Sequence, residues 1–283
     1  MPEKKMTVRD MLGMKERGEP IVMLTAYDAS FGRLLDQNGV DVVLVGDSLG
    51  MVLLGYESTV PVSMEEMLHH ARAVKHGVRR ALLVGDMPFL SYQVEVKEAI
   101  ANGGRFLKEA GCDAVKLEGG LEMCDTVAAM VRAGIPVMGH IGLTPQTAGS
   151  LGGYKVQGRD AESARRLLAE ARGLAAAGAF AIVLECIPDK LAEAITASID
   201  IPTIGIGAGP RCDGQVLVTH DLLGMYEKFV PSFVKSYAHL APQIRDAVAS
   251  YRDEVRAGLY PDAQHSFSMQ LDVEALLRQS DEK

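Results

Sequence analysis

Apolar residues along this chain gather in eight short, β-branched runs: Ile21 to Ala26, Val42 to Asp47, Leu82 to Asp86, Ala114 to Glu118, Val137 to Ile141, Ala181 to Glu185, Thr203 to Ile206 and Gln215 to Thr219. Such runs, bounded by Gly, Pro and polar residues, read as strands. Between most of them the period lengthens to that of an amphipathic helix. The clearest helix is Ser63 to His76, where Ser63 and Glu66 form a capping box, Met67, Leu68, Ala71 and Val74 supply the apolar stripe, and Gly77 is expected as a left-handed stop. Gly111, Gly134 and Gly178 are placed to end later helices in the same way. The segment Val96 to Ala110 is the weakest, because Gly103 and Gly104 lie inside it and each costs about 1 kcal/mol relative to Ala.

Strands alternating with helices through short connections call for a parallel sheet. Eight units in 283 residues fit a closed (β/α)₈ TIM barrel better than an open doubly wound sheet. The chain therefore reads as a single α/β barrel domain over residues 1–283, with a helical cap over 1–20 and a C-terminal helical extension over 228–283. Val8 to Arg17 would plug the barrel bottom. Pro242 to Ala257 and Val273 to Gln279 would form the extension, and the apolar residues between Ser266 and Leu277 either pack on another subunit or fray. Two connections, Leu49 to Val62 and Gly142 to Gly158, exceed the usual length and leave the carboxyl ends of strands, where barrel active sites lie. Gly152, Gly153 and Gly158 would give the second loop its freedom.

Composition narrows the class. With 48% hydrophobic and 23% charged residues the chain can bury a full core, and no run approaches the ~18 apolar residues of a membrane span, so a cytoplasmic enzyme is expected. A net charge of -8 without Lys/Arg clusters argues against nucleic acid, and it requires local cations to draw in any anionic substrate. The four cysteines lack metal or disulfide spacing and read as reduced, buried thiols.

Three strand ends carry carboxylates: Asp47, Asp86 and Glu118. Alternation puts Asp47 in phase with Val43 and Val45, Asp86 with Leu82 and Val84, and Glu118 with Ala114 and Lys116. Converging carboxylates repel unless a cation sits among them, and an all-oxygen set favours a hard ion such as Mg²⁺. Lys116, inward on the same strand as Glu118, is costly to bury without an acid or an anionic ligand, so it reads as an ion-pair partner or as the cation that holds a substrate carboxylate or carbonyl oxygen. Glu185 ends the sixth strand on the far side and, partly desolvated, is placed as a general base. Cys186 should alternate away into the packing layer. Ser48 either bonds substrate or caps a turn, and His140 is either a pocket donor or a tie for the long loop. The run G-I-G-A-G at Gly205 to Gly209 has the wrong spacing for a dinucleotide fingerprint and fits close backbone approach to substrate or strand packing.

The segments T-A-Y-D from Thr25, V-G-D-S-L-G-M from Val45, V-K-L-E-G-G from Val115, G-H-I-G-L-T-P-Q from Gly139, G-G-Y-K-V-Q-G from Gly152 and L-E-C-I-P from Leu184 strongly resemble the ketopantoate hydroxymethyltransferase family, over most of the chain. The resemblance implies a (β/α)₈ barrel in a homodecamer, with Mg²⁺ at Asp47, Asp86 and Glu118 and keto-acid contacts at Asp47, Ser48, Asp86 and Lys116. It also implies a proton acceptor at Glu185. The implied reaction transfers a hydroxymethyl group from 5,10-methylenetetrahydrofolate to 3-methyl-2-oxobutanoate through a Mg-stabilised enolate, giving 2-dehydropantoate, the first step of pantothenate biosynthesis. Two other readings compete. A Mg²⁺-dependent carbon–carbon lyase of the phosphoenolpyruvate mutase and isocitrate lyase type would carry a K-K-C-G-H motif, which does not occur here. A non-catalytic metabolite-binding barrel would not need a charged cluster, a lysine and a base in one pocket.

Overall fold

The structure, a computed structural model, describes residues 4–149, 152–228, 230–271, 273, 274 and 278. Eight parallel strands close into a barrel in sequence order: β1 Ile21–Thr25, β2 Val42–Val45, β3 Leu82–Asp86, β4 Ala114–Glu118, β5 Val137–Gly142, β6 Ala181–Glu185, β7 Thr203–Ile206 and β8 Gly214–Leu217. In chain order the helices are α1 Val8–Arg17, α2 Ala29–Gln37, α3 Leu49–Val52, α4 Met64–Gly77, α5 Val96–Glu109, α6 Cys124–Arg132, α7 Ala161–Ala176, α8 Asp189–Ala197, α9 Thr219–Leu222 and α10 Leu240–Arg256.

Alternation along the strands separates two cores. Val42, Leu44, Leu82, Val84, Ala114, Met138, Ala181, Val183, Ile204 and Val216 fill the barrel interior, and Met11 and Met14 of α1 join them at the bottom. Val43, Val45, Leu83, Val115, Leu117, Val137, Ile182 and Leu184 face outward and pack against the helices. Burying each such side chain contributes about 1.5–3 kcal/mol, which is why a half-register slip of any strand would be expelled. α1 is pinned by a capping box in which Thr7 Oγ1 accepts from Asp10 N at 3.2 Å, and Gly18 closes it with φ of 66°. The expected Ser63–Glu66 box forms on α4, with Ser63 N donating to Glu66 Oε2 at 2.7 Å.

Several local expectations are corrected. Gly77 is not a left-handed stop: it is the last helical residue of α4, and a Cβ there would lie 2.2 Å from Ala29 O, so glycine is needed for the close approach of α2. The loop after β2 contains the short helix α3, and β8 ends at Leu217, with Thr219 already opening α9. α10 begins at Leu240, before Pro242, because proline is tolerated in a first helical turn. None of its residues is buried, and Ile244, Val248 and Tyr251 are 47%, 61% and 58% exposed. The expected helix Val273 to Gln279 lies mostly outside the described residues.

Candidate active site

The carboxyl ends of the strands open into a cavity of about 330 Å³ lined by Asp47, Ser48, Asp86, Lys116, Glu118, His140 and Glu185, so every residue singled out for chemistry in the sequence meets there. Register places them: Asp86 pairs with Lys116 across β3 and β4, and Glu118 with His140 across β4 and β5. For Asp86, Glu118 and Glu185 the expected inward phase holds. Asp47 arrives differently. Val43 and Val45 face the helices, so continued alternation would send Asp47 outward; instead β2 ends at Val45 and the turn into α3 swings Asp47 into the cavity.

Lys116 Nζ sits 2.7 Å from Asp86 Oδ1, both nearly inaccessible to solvent. Asp47 N donates to Asp86 Oδ2 at 3.2 Å, which seats the two acids side by side. Burial and the charges of Asp86 and Glu118 hold the Asp47 carboxyl well above the usual range. Burial also raises Asp86, against the opposing pull of Lys116. Burial alone would lower Lys116, but the charges of Asp86, Glu118 and Asp47 outweigh it and keep the ammonium protonated. His140 lies between the two ends of the site, its Nδ1 3.4 Å from Glu118 Oε1 and its Nε2 3.1 Å from Glu185 Oε2. Burial and Lys116 oppose its charge, yet the two glutamates raise it to about 9. The imidazole thus faces the pocket between the two glutamates, with Lys116 Nζ 3.3 Å from its Nδ1.

The sequence offered no role for three further residues. Gln146, in the short 3₁₀ turn Pro145–Thr147, donates from Nε2 to Asp47 Oδ2 at 2.9 Å and to Met87 O at 2.9 Å, and from its backbone N to Glu118 Oε2 at 3.0 Å. Tyr92 OH donates to Gln146 Oε1 at 2.7 Å and accepts from Glu118 N at 3.0 Å. Tyr27 OH shares a proton with Ser48 Oγ at 2.9 Å. The available signals were the T-P-Q step at the end of a motif otherwise read for its histidine and the tyrosine of T-A-Y-D, neither of which carried a role. Cys186 departs from expectation: its φ of 48° breaks the alternation after β6, and it lines the cavity instead of the packing layer. Of the glycine run, Gly207 serves packing, since a Cβ there would lie 2.7 Å from the Phe233 ring.

The donor set suits a hard cation better than zinc or copper. Asp47, Asp86 and Glu118 offer only carboxylate oxygens, and burial together with the charges of Asp86 and Glu118 disfavours the Asp47 anion unless a cation joins it. Among the described residues no three acids, cysteines or histidines close to a ligand set, because Glu118 is turned to Gln146 and His140. The fit is therefore through Asp47 and Asp86, with Glu118 beside them.

A closed parallel barrel with buried carboxylates gathered around one lysine at the carboxyl ends of its strands has the architecture of a (β/α)₈ barrel enzyme, whose active site lies at that face. Residues 5–263 match the family model described as ketopantoate hydroxymethyltransferase. Proteins named 3-methyl-2-oxobutanoate hydroxymethyltransferase from Desulfotalea psychrophila and Carboxydothermus hydrogenoformans are 60% and 58% identical, over 98% and 94% of this chain and 99% and 96% of theirs. This chain belongs to the ketopantoate hydroxymethyltransferase family. Solved structures share the fold at low identity. A phosphonopyruvate hydrolase complexed with oxalate and Mg²⁺ aligns with a TM-score of 0.59 at 15% identity, covering 98% of this chain and 96% of its own. A phosphoenolpyruvate phosphomutase from Streptomyces platensis subsp. rosaceus aligns with a TM-score of 0.60 at 15% identity, with the same coverage.

Proposed function

We propose that this chain transfers a hydroxymethyl group from 5,10-methylenetetrahydrofolate to 3-methyl-2-oxobutanoate, giving 2-dehydropantoate and tetrahydrofolate, the first step of pantothenate biosynthesis. The observation that carries the reading is the buried Lys116–Asp86 pair beside Asp47, with Glu185 across the same cavity, in a chain whose relatives bear the name of this activity. Lys116 presents a fixed positive charge to the carboxylate or keto oxygen of the acid, with Ser48 Oγ as a further donor. Asp47 and Asp86 would hold Mg²⁺, with Glu118 alongside, and the bound ion would supply Lewis-acid polarisation of the ketone. Glu185 takes the C3 proton, with His140 Nε2 3.1 Å from its carboxylate to hold it in place. Both C–N bonds of the donor's methylene bridge are broken: one is replaced by the new bond from C3 and the other by a bond to the oxygen of water, while the C3 proton and the two protons of water end on the two folate nitrogens and the new hydroxyl.

The compartment we assign is the cytoplasm; no described helix is long and apolar enough to cross a membrane. We also assign the exposed apolar face of α10 to an inter-subunit contact within a homodecamer. The test is direct: the purified protein, given the keto acid, the folate donor and Mg²⁺, should form 2-dehydropantoate and tetrahydrofolate in equal amounts. Absence of product under those conditions would refute the assignment.

A further inference from the structure

One acid on the cavity wall has no part in the chemistry above. Asp221, in α9 just past the end of β8, is only 8% exposed and lines the cavity, and its Oδ1 is buried without a hydrogen-bond partner among the described residues. Its position is rigid: Thr219 N and Oγ1 bond Thr25 Oγ1 and O at 3.0 and 2.5 Å, which locks α9 to the end of β1, and Asp221 O accepts from Ser236 Oγ at 3.3 Å. Burial alone, with no compensating cation, raises its pKa to about 6. The same cavity is lined by Val218, Tyr226, Phe233 and Val234, with Ser232 among them and Tyr154 of the long loop also facing it. A desolvated carboxylate is costly unless a ligand supplies donors.

The keto acid cannot be that ligand, because it is an anion without N–H groups. The other substrate can. A pterin presents, on its 2-amino-4-oxopyrimidine edge, two adjacent N–H donors spaced for the two oxygens of a carboxylate, in the manner of a guanidinium, and its flat rings suit an aromatic wall. We propose that Asp221 recognises the one-carbon donor, its carboxylate accepting both hydrogen bonds from the pyrimidine edge of the pterin while Tyr226 and Phe233 flank the rings. The assignment rests on the reading above that the donor is a reduced folate. It places the pterin on the β8–β1 side of the mouth and leaves the Asp47–Asp86–Lys116 side to the keto acid.

The experiment compares wild type with Asp221→Ala and the isosteric Asp221→Asn in two measurements on the intact protein: binding of tetrahydrofolate, and loss of deuterium from C3 of the keto acid without folate, which also reports that each variant is folded. Loss of hydrogen bonds to a charged partner predicts tetrahydrofolate affinity weakened about 10- to 100-fold. The exchange rate should fall at least about tenfold less than the affinity. A 2-desamino-2-methyl tetrahydrofolate, which keeps only the ring N3–H donor, should bind wild type more weakly than tetrahydrofolate does, and should lose less than tetrahydrofolate on going to Asp221→Ala. Folate affinity unchanged in both variants, or exchange falling in step with affinity, would overturn the assignment. Wild type that forms no 2-dehydropantoate would instead refute the functional reading, and this assignment with it.

Discussion

Gln146 is the brace of the carboxylate centre, and its removal gives a worked prediction. In Gln146→Ala, Asp47 Oδ2, Met87 O and Tyr92 OH each lose a partner now held at 2.7–2.9 Å. All three lie in a buried region. The bond to the Asp47 carboxylate is worth about 1.5–3 kcal/mol, and each neutral bond about 1 kcal/mol. The sum is about 4 kcal/mol, a large share of the stability of an ordinary domain. Gln146→Glu keeps the acceptor for Tyr92 but replaces the amide donor with a second carboxylate facing Asp47, so it should destabilise at least as much near neutral pH and recover in acid. Urea unfolding followed by circular dichroism reads both variants. A loss below about 1 kcal/mol for Gln146→Ala would show that water takes over these bonds and that Gln146 does not hold the centre together.

Further predictions concern charge, pH and assembly. Lys116→Met leaves Asp86, Asp47 and Glu118 without their shared cation; keto-acid affinity measured by calorimetry should fall about 100-fold or more, in line with the loss of one partner of a buried ion pair. Asp221 has a folded-state pKa near 6 against 3.8 for the free side chain, so its contribution to stability is complete below about pH 3.8 and is lost as pH rises through 6. Thermal melts across that window should accordingly show a steeper decline for wild type than for Asp221→Asn, and parallel curves would contradict the shift. Replacing Val248 and Tyr251 together with Asp should leave the melting temperature of the barrel core in place while lowering the sedimenting mass; an unchanged mass would remove α10 from the interface.

Much of the fold was legible because barrel strands buried on both faces are nearly continuous in apolar residues, and because caps such as Ser63 and Glu66 act over three residues of sequence. Positions on β3, β4 and β6 followed from alternation, since those strands run unbroken to their acids. Asp47 did not, because a strand that stops two residues early changes which way its end residue points. Gly77 was misread for a related reason: a close approach between helices leaves no local pattern that distinguishes it from a left-handed stop. Gln146 and Tyr92 were invisible as functional residues, since their role depends on hydrogen bonds spanning 99 and 54 positions. Cys186 was misplaced because a single residue at positive φ reverses the side-chain direction that period-two counting assumes.

The central claim is that Glu185 removes the C3 proton of a keto acid held by Lys116 and the Asp47–Asp86 pair. The most direct measurement follows, by proton NMR, the loss of deuterium from C3 of 3-methyl-2-oxobutanoate in the presence of Mg²⁺, for wild type and Glu185→Gln, with keto-acid binding measured on the same samples. The account predicts that the variant binds the acid within about threefold of wild type and exchanges at least about 100-fold more slowly, the scale of a lost general base. Exchange at the wild-type rate in a variant that still binds the acid would contradict it.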